Sequence, residues 1–454
     1  MGTLIMRLET RRILDRSFSG LGFFSIFLLS FSLIIILTPI FVRGFGAFVF
    51  KATSEFRRLN LIEFSRGDKN EILNETDVTF KYKKVAFDML DDFRRKVNNG
   101  EVPADGDMFR DLKDLKGLLH DLLGPDSKVS DAPMMRDRYG ETRWDKAQVT
   151  LQSILMMEKW DYSDTNAMGK KVLVPRSEIY KGTELAQFFP YLKKNLEKML
   201  RPRLTFYWRF LTDVSFDAHM FGGIFPEVLG TFYLVLGAML FAVPIGVIAA
   251  IYLAEFASGT SKIVSLLRVF ISTLAGVPSI VFGLFGLAFF IDTIKVSNSK
   301  SVLAGSLTLA LLILPTIIRA SEEAIRAVPQ TYKEAALSLG AGKFRTVFTV
   351  ILPAALPGVL TGIVISMGRA AGETAPIIFT AAVSVGKPLT LFQAFSQPSP
   401  ALSWNIYNLV TEHEAVEKIR HVQFGMVFTL VLLVLLLNLT AIFLRARISK
   451  KLRG

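Results

Sequence analysis

Two ionisable residues, Arg369 and Glu373, lie inside an apolar stretch reading Met367-Gly-Arg369-Ala-Ala-Gly-Glu373-Thr374-Ala-Pro376. If that stretch crosses a bilayer, each charge costs about 2.5–3.5 kcal/mol at a helix centre, so each must face a partner or a wet pathway. A spacing of four puts both on one helix face. Arginine stays charged at any physiological pH and presents a planar fork of donors that matches phosphate oxygens. A carboxylate left free beside it would repel a phosphate dianion, so Glu373 is expected to orient Arg369 or to accept a proton from monoprotonated phosphate. The reading is an anion gate, with Thr374 adding a hydroxyl and the breaks at Gly372 and Pro376 freeing backbone donors. A mutual ion pair that only holds helices together is the plainer alternative.

A second set carries no chemistry of its own but has a recognisable spacing. Between the fourth and fifth apolar runs stands SEEAIRAVPQTYKEAALSLGAGKFRTVFTVILP, from Ser321 to Pro353. Ala335, Ala336 and Leu337 favour a short helix, and Gly340 can take the left-handed conformation that ends it. Glu334-Ala335-Ala336, then Gly340, then Val350 and Leu352-Pro353 resemble the EAA loop of ABC-importer permeases, with valine where isoleucine is usual. The resemblance implies a rigid helix–turn knob, Glu334 to Gly340, that seats in a cytoplasmic ATPase. This chain has no phosphate-cradling loop: before Gly342-Lys343 the first glycine is replaced by Leu337, and Phe344 stands where Ser or Thr is needed. A separate ATPase subunit carrying ATP and Mg is therefore implied, and no cofactor is expected on this chain.

These sites need a membrane scaffold to position them. Of 454 residues 51% are hydrophobic and 20% charged, with a mean hydropathy of +0.40, too apolar for an ordinary soluble domain. Runs of about 18 or more apolar residues mark helices that cross a bilayer with every backbone group satisfied internally. Six occur, near Leu21–Val42, Ile224–Ala254, Ile263–Ile291, Val302–Ile318, Leu356–Ala382 and Phe424–Leu444. The first follows Arg7, Arg11, Arg12 and Arg16 and is read as an uncleaved anchor, being long for a signal peptide. The expected division is a tail at 1–20, a first span at 21–43, an extracytoplasmic insert at 44–222, a permease core at 223–444 with its coupling loop at 319–353, and a tail at 445–454.

The formal net charge of +13 raises nucleic acid as a partner, but its distribution argues against that reading. Residues 43–222 hold 31 Lys plus Arg against 28 Asp plus Glu, so most of the excess sits on the membrane portion. There it clusters before the first span, after the fourth and after the sixth, a positive-inside pattern with both termini cytoplasmic. Chemistry dependent on cysteine is excluded, since none is present. The insert shows apolar residues at helical spacing, Val85, Met89, Phe93 and Val97, then Met108, Leu112, Leu115, Leu119 and Leu122, and is expected to be mainly helical. Residues 124–139 read as a loop, and His120 as a bland exposed histidine on a charged helical face. No catalytic or metal-binding set is found there.

GVPSIVFGLFGLAFF (Gly276 to Phe290) and RAAGETAPIIFTAA (Arg369 to Ala382) resemble characteristic stretches of the PstA-type phosphate permeases, as do Phe210-Leu211-Thr212, Gly222 to Glu255 and the stretch from Leu402 to Arg447. The resemblance covers residues 204–454 and the first span. It implies an all-α, six-span type I ABC-importer permease of the inner membrane, itself no enzyme. Implied partners are a second homologous permease, an ATPase dimer, an extracytoplasmic phosphate-binding protein and membrane lipid. The large insert departs from the family's short first external loop. Two other readings compete: a permease for another oxyanion (phosphonate, molybdate, sulfate), and a membrane-anchored sensor. The sensor is disfavoured by a tail of about ten residues after Leu444.

Overall fold

A computed structural model describes residues 8–103, 106–124, 140–161, 170–216, 218–257, 261–413 and 416–453. They fall into two compact units, one of Met1–Ala47, Leu211–Val214 and Ile224–Gly454, the other of Phe48–Phe210 and Ser215–Gly223. The first span is α1 (Leu8–Phe45), whose apolar side chains are mostly exposed.

The second unit is built from β1 (Val49–Ala52), α2 (Ser54–Phe64), α3 (Lys69–Asn98), α4 (Gly106–Leu123), α5 (Trp144–Leu155), β2 (Met156–Asp161), β3 (Lys170–Pro175), α6 (Phe188–Leu200), β4 (Arg203–Phe206), β5 (Ser215–Phe216) and β6 (Phe221–Gly222). Its strands form three antiparallel ribbons, β1–β4, β2–β3 and β5–β6. The helices pack on one apolar core that includes Phe87, Leu90, Phe93, Leu115, Leu119, Leu122, Phe188 and Leu192. On α4 the stripe Leu112, Leu115, Leu119 and Leu122 faces inward as its spacing predicts. On α3 the inward stripe is Ala86, Phe87, Leu90, Phe93 and Val97, with Met89 packed against it, so of the four expected positions Val85 is the exception, being exposed. His120 is also not a free surface residue: its ring lies 5.1 Å from that of Phe87. Residues 125–139 of the expected loop lie outside the described residues.

Polar ties lock the same unit. Asp68 caps α3, accepting from the N–H groups of Asn70 and Glu71. The Arg57 guanidinium grips Glu75 on α3 through Nε (2.8 Å) and Nη2 (2.7 Å) and donates to the Ala52 and Arg201 carbonyls, so one side chain ties α2 to α3, β1 and the end of α6. Asp111 accepts from Arg176 and from the buried Tyr180 hydroxyl (2.6 Å).

The membrane unit continues with α7 (Phe225–Ile251), α8 (Lys262–Ala275), α9 (Ser279–Gly286), α10 (Val302–Arg326), α11 (Gln330–Ser338), α12 (Lys343–Thr346), α13 (Leu352–Gly372), α14 (Ala375–Thr380), α15 (Leu402–Thr411) and α16 (Val416–Arg453). Among the described residues five helices are long and apolar enough to span a bilayer, and α8 with the helix through α9 makes a sixth candidate bent by 101°. The third apolar run is thus two helices, broken at Gly276-Val277-Pro278, because proline cannot continue the hydrogen-bond ladder. With α8 at 14 residues, and a rise of about 1.5 Å per residue, neither half crosses a core of about 30 Å alone. The two halves pack on different stretches of α10: Val264 of α8 clusters with Ile318, while a side chain on Gly286 of α9 would strike Thr308 at 2.2 Å. The protein is a multi-pass, all-α membrane protein.

Helix extends into the expected coupling segment 319–353 from both sides: α10 continues to Arg326 and helix resumes at Lys343, leaving 327–342 between them. Helix α13 ends at Gly372.

Candidate functional site

The break in the fifth span sets the first candidate site. Helix α13 ends because Pro376 has no N–H to give the Gly372 carbonyl, and Glu373 turns to an extended conformation, φ −72° and ψ 131°. Arg369 sits in the last turn of α13, and its Nε donates to Glu373 Oε1 at 3.3 Å. The two expected residues are thus brought together, though across a helix end instead of along a continuous face. The Arg369 side chain is 41% exposed and that of Glu373 18%. Thr374 stands at the head of α14 and its hydroxyl makes no capping bond there.

Reading residue types alone missed the groups that hold this break. Ser403 Oγ donates to the Glu373 carbonyl at 3.0 Å, taking up an acceptor that the helix no longer satisfies. The next contacts lead from α15 to α7: the Leu402 N–H donates to Thr231 Oγ1 at 2.9 Å, and Asn405 Nδ2 to Glu227 Oε1 at 3.1 Å. All four side chains, Glu227, Thr231, Ser403 and Asn405, are buried. Glu227 could have been found by the rule that singled out Glu373, an acidic residue within an apolar run. The other three are ordinary polar residues whose partners lie far away in sequence.

Glycines close the packing around α14. Added Cβ atoms at Gly283 and Gly286 would lie 2.9 Å from Phe379 and 2.2 Å from Thr308, so α9 lies directly on α14 and α10 only because these positions lack side chains. Lys300 Nζ donates to the Ile378 carbonyl in the last turn of α14. A cavity of about 750 Å³ elsewhere in the unit is lined by Phe232, Leu236, Leu240, Val302, Leu391 and Phe395 among others. It is larger than the space at the break but almost wholly apolar, so it has little to offer an anion.

The second candidate site is the 327–342 segment. Helix α11 carries Glu334, Ala335 and Ala336, and none of its residues is buried. It closes on Gly340, φ +83°, with the Gly340 N–H donating to the Leu337 carbonyl (2.9 Å) and the Ala341 N–H to the Ala336 carbonyl (3.1 Å). Those two bonds define a Schellman stop, which needs a left-handed residue where only glycine sits without penalty. Leu339, 89% exposed, and Phe344, 66% exposed, flank the turn.

This segment is seated on the ends of several spans. Lys333 pairs with Glu255 at the end of the second span, and the Lys343 ammonium lies 5.1 Å from the Phe256 ring centre. Glu322 on α10 accepts from Arg268 of α8 at 3.1 Å and from Arg326 at 2.8 Å. π-Helical turns at Tyr252–Phe256 and Val347–Ile351 bound the seat, and such turns recur where helices carry function.

Comparison with known proteins places this architecture. Residues 242–454 match the family described as binding-protein-dependent transport system inner membrane component. The chain is 34% identical over 254 residues to a probable ABC transporter permease protein, YqgI, of Bacillus subtilis, covering 54% of this chain and 85% of that one. It is 35% identical over 232 residues to the phosphate transport system permease protein PstA 1 of Mycobacterium tuberculosis, covering 51% and 72%. A PstA of Mycobacterium leprae is 34% identical over 234 residues, covering 51% and 74%. Among solved structures, an inward-facing MetNI methionine ABC transporter aligns over 50% of this chain and 97% of that chain, with 18% identity and a TM-score of 0.40.

Proposed function

The chain belongs to the family of binding-protein-dependent transport system inner membrane components, and from that premise we propose that it is the permease subunit of an ATP-driven importer of inorganic phosphate. The observation that carries the substrate class is the half-open guanidinium of Arg369 at the break of the fifth span, in a chain similar to permeases named for phosphate transport. A half-exposed arginine pre-oriented by Glu373 offers a charged, forked donor to a tetrahedral oxyanion. Thr374 and backbone groups at the break complete the polar lining.

In this reading the permease is no enzyme: ATP and Mg belong to a separate ATPase pair that seats on Glu334 to Gly340, with Ala335 and Ala336 at the face of the knob. Leu339 and Phe344 provide the apolar contact. Lys333 and Glu255 transmit the movement of the knob to the second span, and the Glu322 cluster transmits it to the third and fourth. A second, homologous permease completes the pathway and a soluble phosphate-binding protein delivers the ion. Both termini lie in the cytoplasm. The insert stands at the side where the phosphate-binding protein docks.

Phosphate uptake by vesicles carrying the assembled complex, with and without internal ATP, tests the proposal. ATP-dependent uptake blocked by arsenate and not by sulfate, molybdate or phosphonate supports it. Transport of another oxyanion would discard the substrate and keep the architecture, and ATP-independent behaviour would discard the importer.

A further inference from the structure

The second unit exposes an apolar face that its own core does not use. Strand β1 begins at Val49, four residues after the last residue of α1, and in the β1–β4 ribbon Phe206 stands opposite Val49 and Leu204 opposite Lys51. Side chains alternate across a strand. Phe50 and Ala52 are buried on one face, which leaves Lys51, Leu204 and Phe206 on the other. Leu204 is 76% exposed, Phe206 64% and, just past the strand, Trp208 54%. Arg209 lies over the Trp208 ring at 5.1 Å.

Covalent reach decides what can cover this face. Four residues of extended chain span at most about 14 Å, and the headgroup layer on each side of a bilayer is roughly 5–8 Å thick. The first residue of the ribbon is therefore tethered within about 14 Å of the end of α1. The ribbon's side chains suit that boundary: an indole and a phenyl ring at headgroup depth, with Lys51 beside them to meet lipid phosphates. We propose that Leu204, Phe206 and Trp208 dip into the lipid interface as a collar, with Lys51 on phosphate headgroups. The inference does not depend on which anion is transported.

The full-length chain is reconstituted in vesicles of phosphatidylcholine and phosphatidylglycerol with Trp208 as its sole tryptophan, through Trp144→Phe, Trp160→Phe and Trp404→Phe. Lipids brominated near the headgroup should quench its fluorescence about twofold or more over lipids brominated at the chain end, since the boundary lies roughly 15 Å from the bilayer centre. A chain retaining only Trp144, which packs against the insert core, serves as the control and should be unaffected. Because the chain has no cysteine, Phe206→Cys bearing a nitroxide reads the same face with every tryptophan intact, and should relax faster with oxygen than with a soluble nickel chelate. Absence of bromine quenching at Trp208, or a nitroxide favoured by the nickel chelate, overturns the collar. Shielding of Trp208 from acrylamide without lipid quenching also overturns it, and assigns the face to a protein partner.

Discussion

Arg369 and Glu373 were legible in the sequence because a charge in an apolar run is costly and therefore conspicuous. Their helix break was legible from Gly372 and Pro376. What holds the break was not: Ser403 lies 30 residues from Glu373 in sequence and Asn405 178 from Glu227, and a hydroxyl or amide announces no partner at such range. If Arg369 supplies charge-assisted bonds worth about 1.5–3 kcal/mol, Arg369→Ala should lower phosphate affinity roughly 10–100-fold, read as the concentration dependence of vesicle uptake. Arg369→Lys should recover only part, since it keeps the charge and loses the fork. Full uptake by Arg369→Ala would reduce the pair to a structural ion pair. Tyr180 in the insert makes a different prediction. Burial first, then its bond to Asp111, pushes its hydroxyl well above the ordinary tyrosine value. The unfolded chain ionises first, so the stability this residue confers is complete below pH about 10 and falls as pH rises beyond it. Thermal unfolding of the wild type should steepen in its pH dependence there, and Tyr180→Phe should flatten it.

At the scale of elements, periodicity and punctuation predicted more than contacts did. Glycine at position 340 announced the end of α11, and the Schellman bonds place it there. Apolar runs located the spans but not the helix ends, because α10 and the fifth span carry helix past the apolar run where charged residues pair with one another, as Glu322 does with Arg268 and Arg326. Hydropathy reports the solvent a segment prefers and not where its hydrogen-bond ladder stops. The exposed turn after α11 should therefore separate folding from coupling. Leu339→Asp, on a side chain with almost no protein contact, should change thermal stability by less than about 0.5 kcal/mol. ATPase binding and ATP-dependent uptake should nevertheless fall, measured by co-purification and transport; an unchanged transport rate would remove the coupling role from this turn. Gly286→Val should do the opposite. Its side chain has no room between Thr308 and Thr380, so overpacking of about 1–3 kcal/mol should lower the unfolding temperature as well as uptake.

For the whole molecule, the bent third span decides the topology. If the α8–α9 pair crosses the bilayer, six spans put both ends of the chain and α11 on one side, with the insert and residues 295–300 on the other. If the pair instead dips in and returns, everything after it inverts, and α11 shares a side with the insert. The packing argues for crossing, since α8 meets the Ile318 stretch of α10 and α9 the Thr308 stretch. Charge argues the same way: Arg319, Arg326, Lys333, Lys343 and Arg345 gather beside α11, whereas residues 43–222 carry a net charge of only +3. The absence of cysteine makes the question direct, because each introduced thiol is the sole site for a membrane-impermeant maleimide. In intact cells Lys69→Cys and Ser299→Cys should react and Ser338→Cys and Lys450→Cys should not, with the pattern reversing in inside-out vesicles. Labelling of Ser338→Cys together with Lys69→Cys in intact cells would mean that the pair returns to its starting side, and an ATPase could then not reach the turn at Gly340 from the cytoplasm.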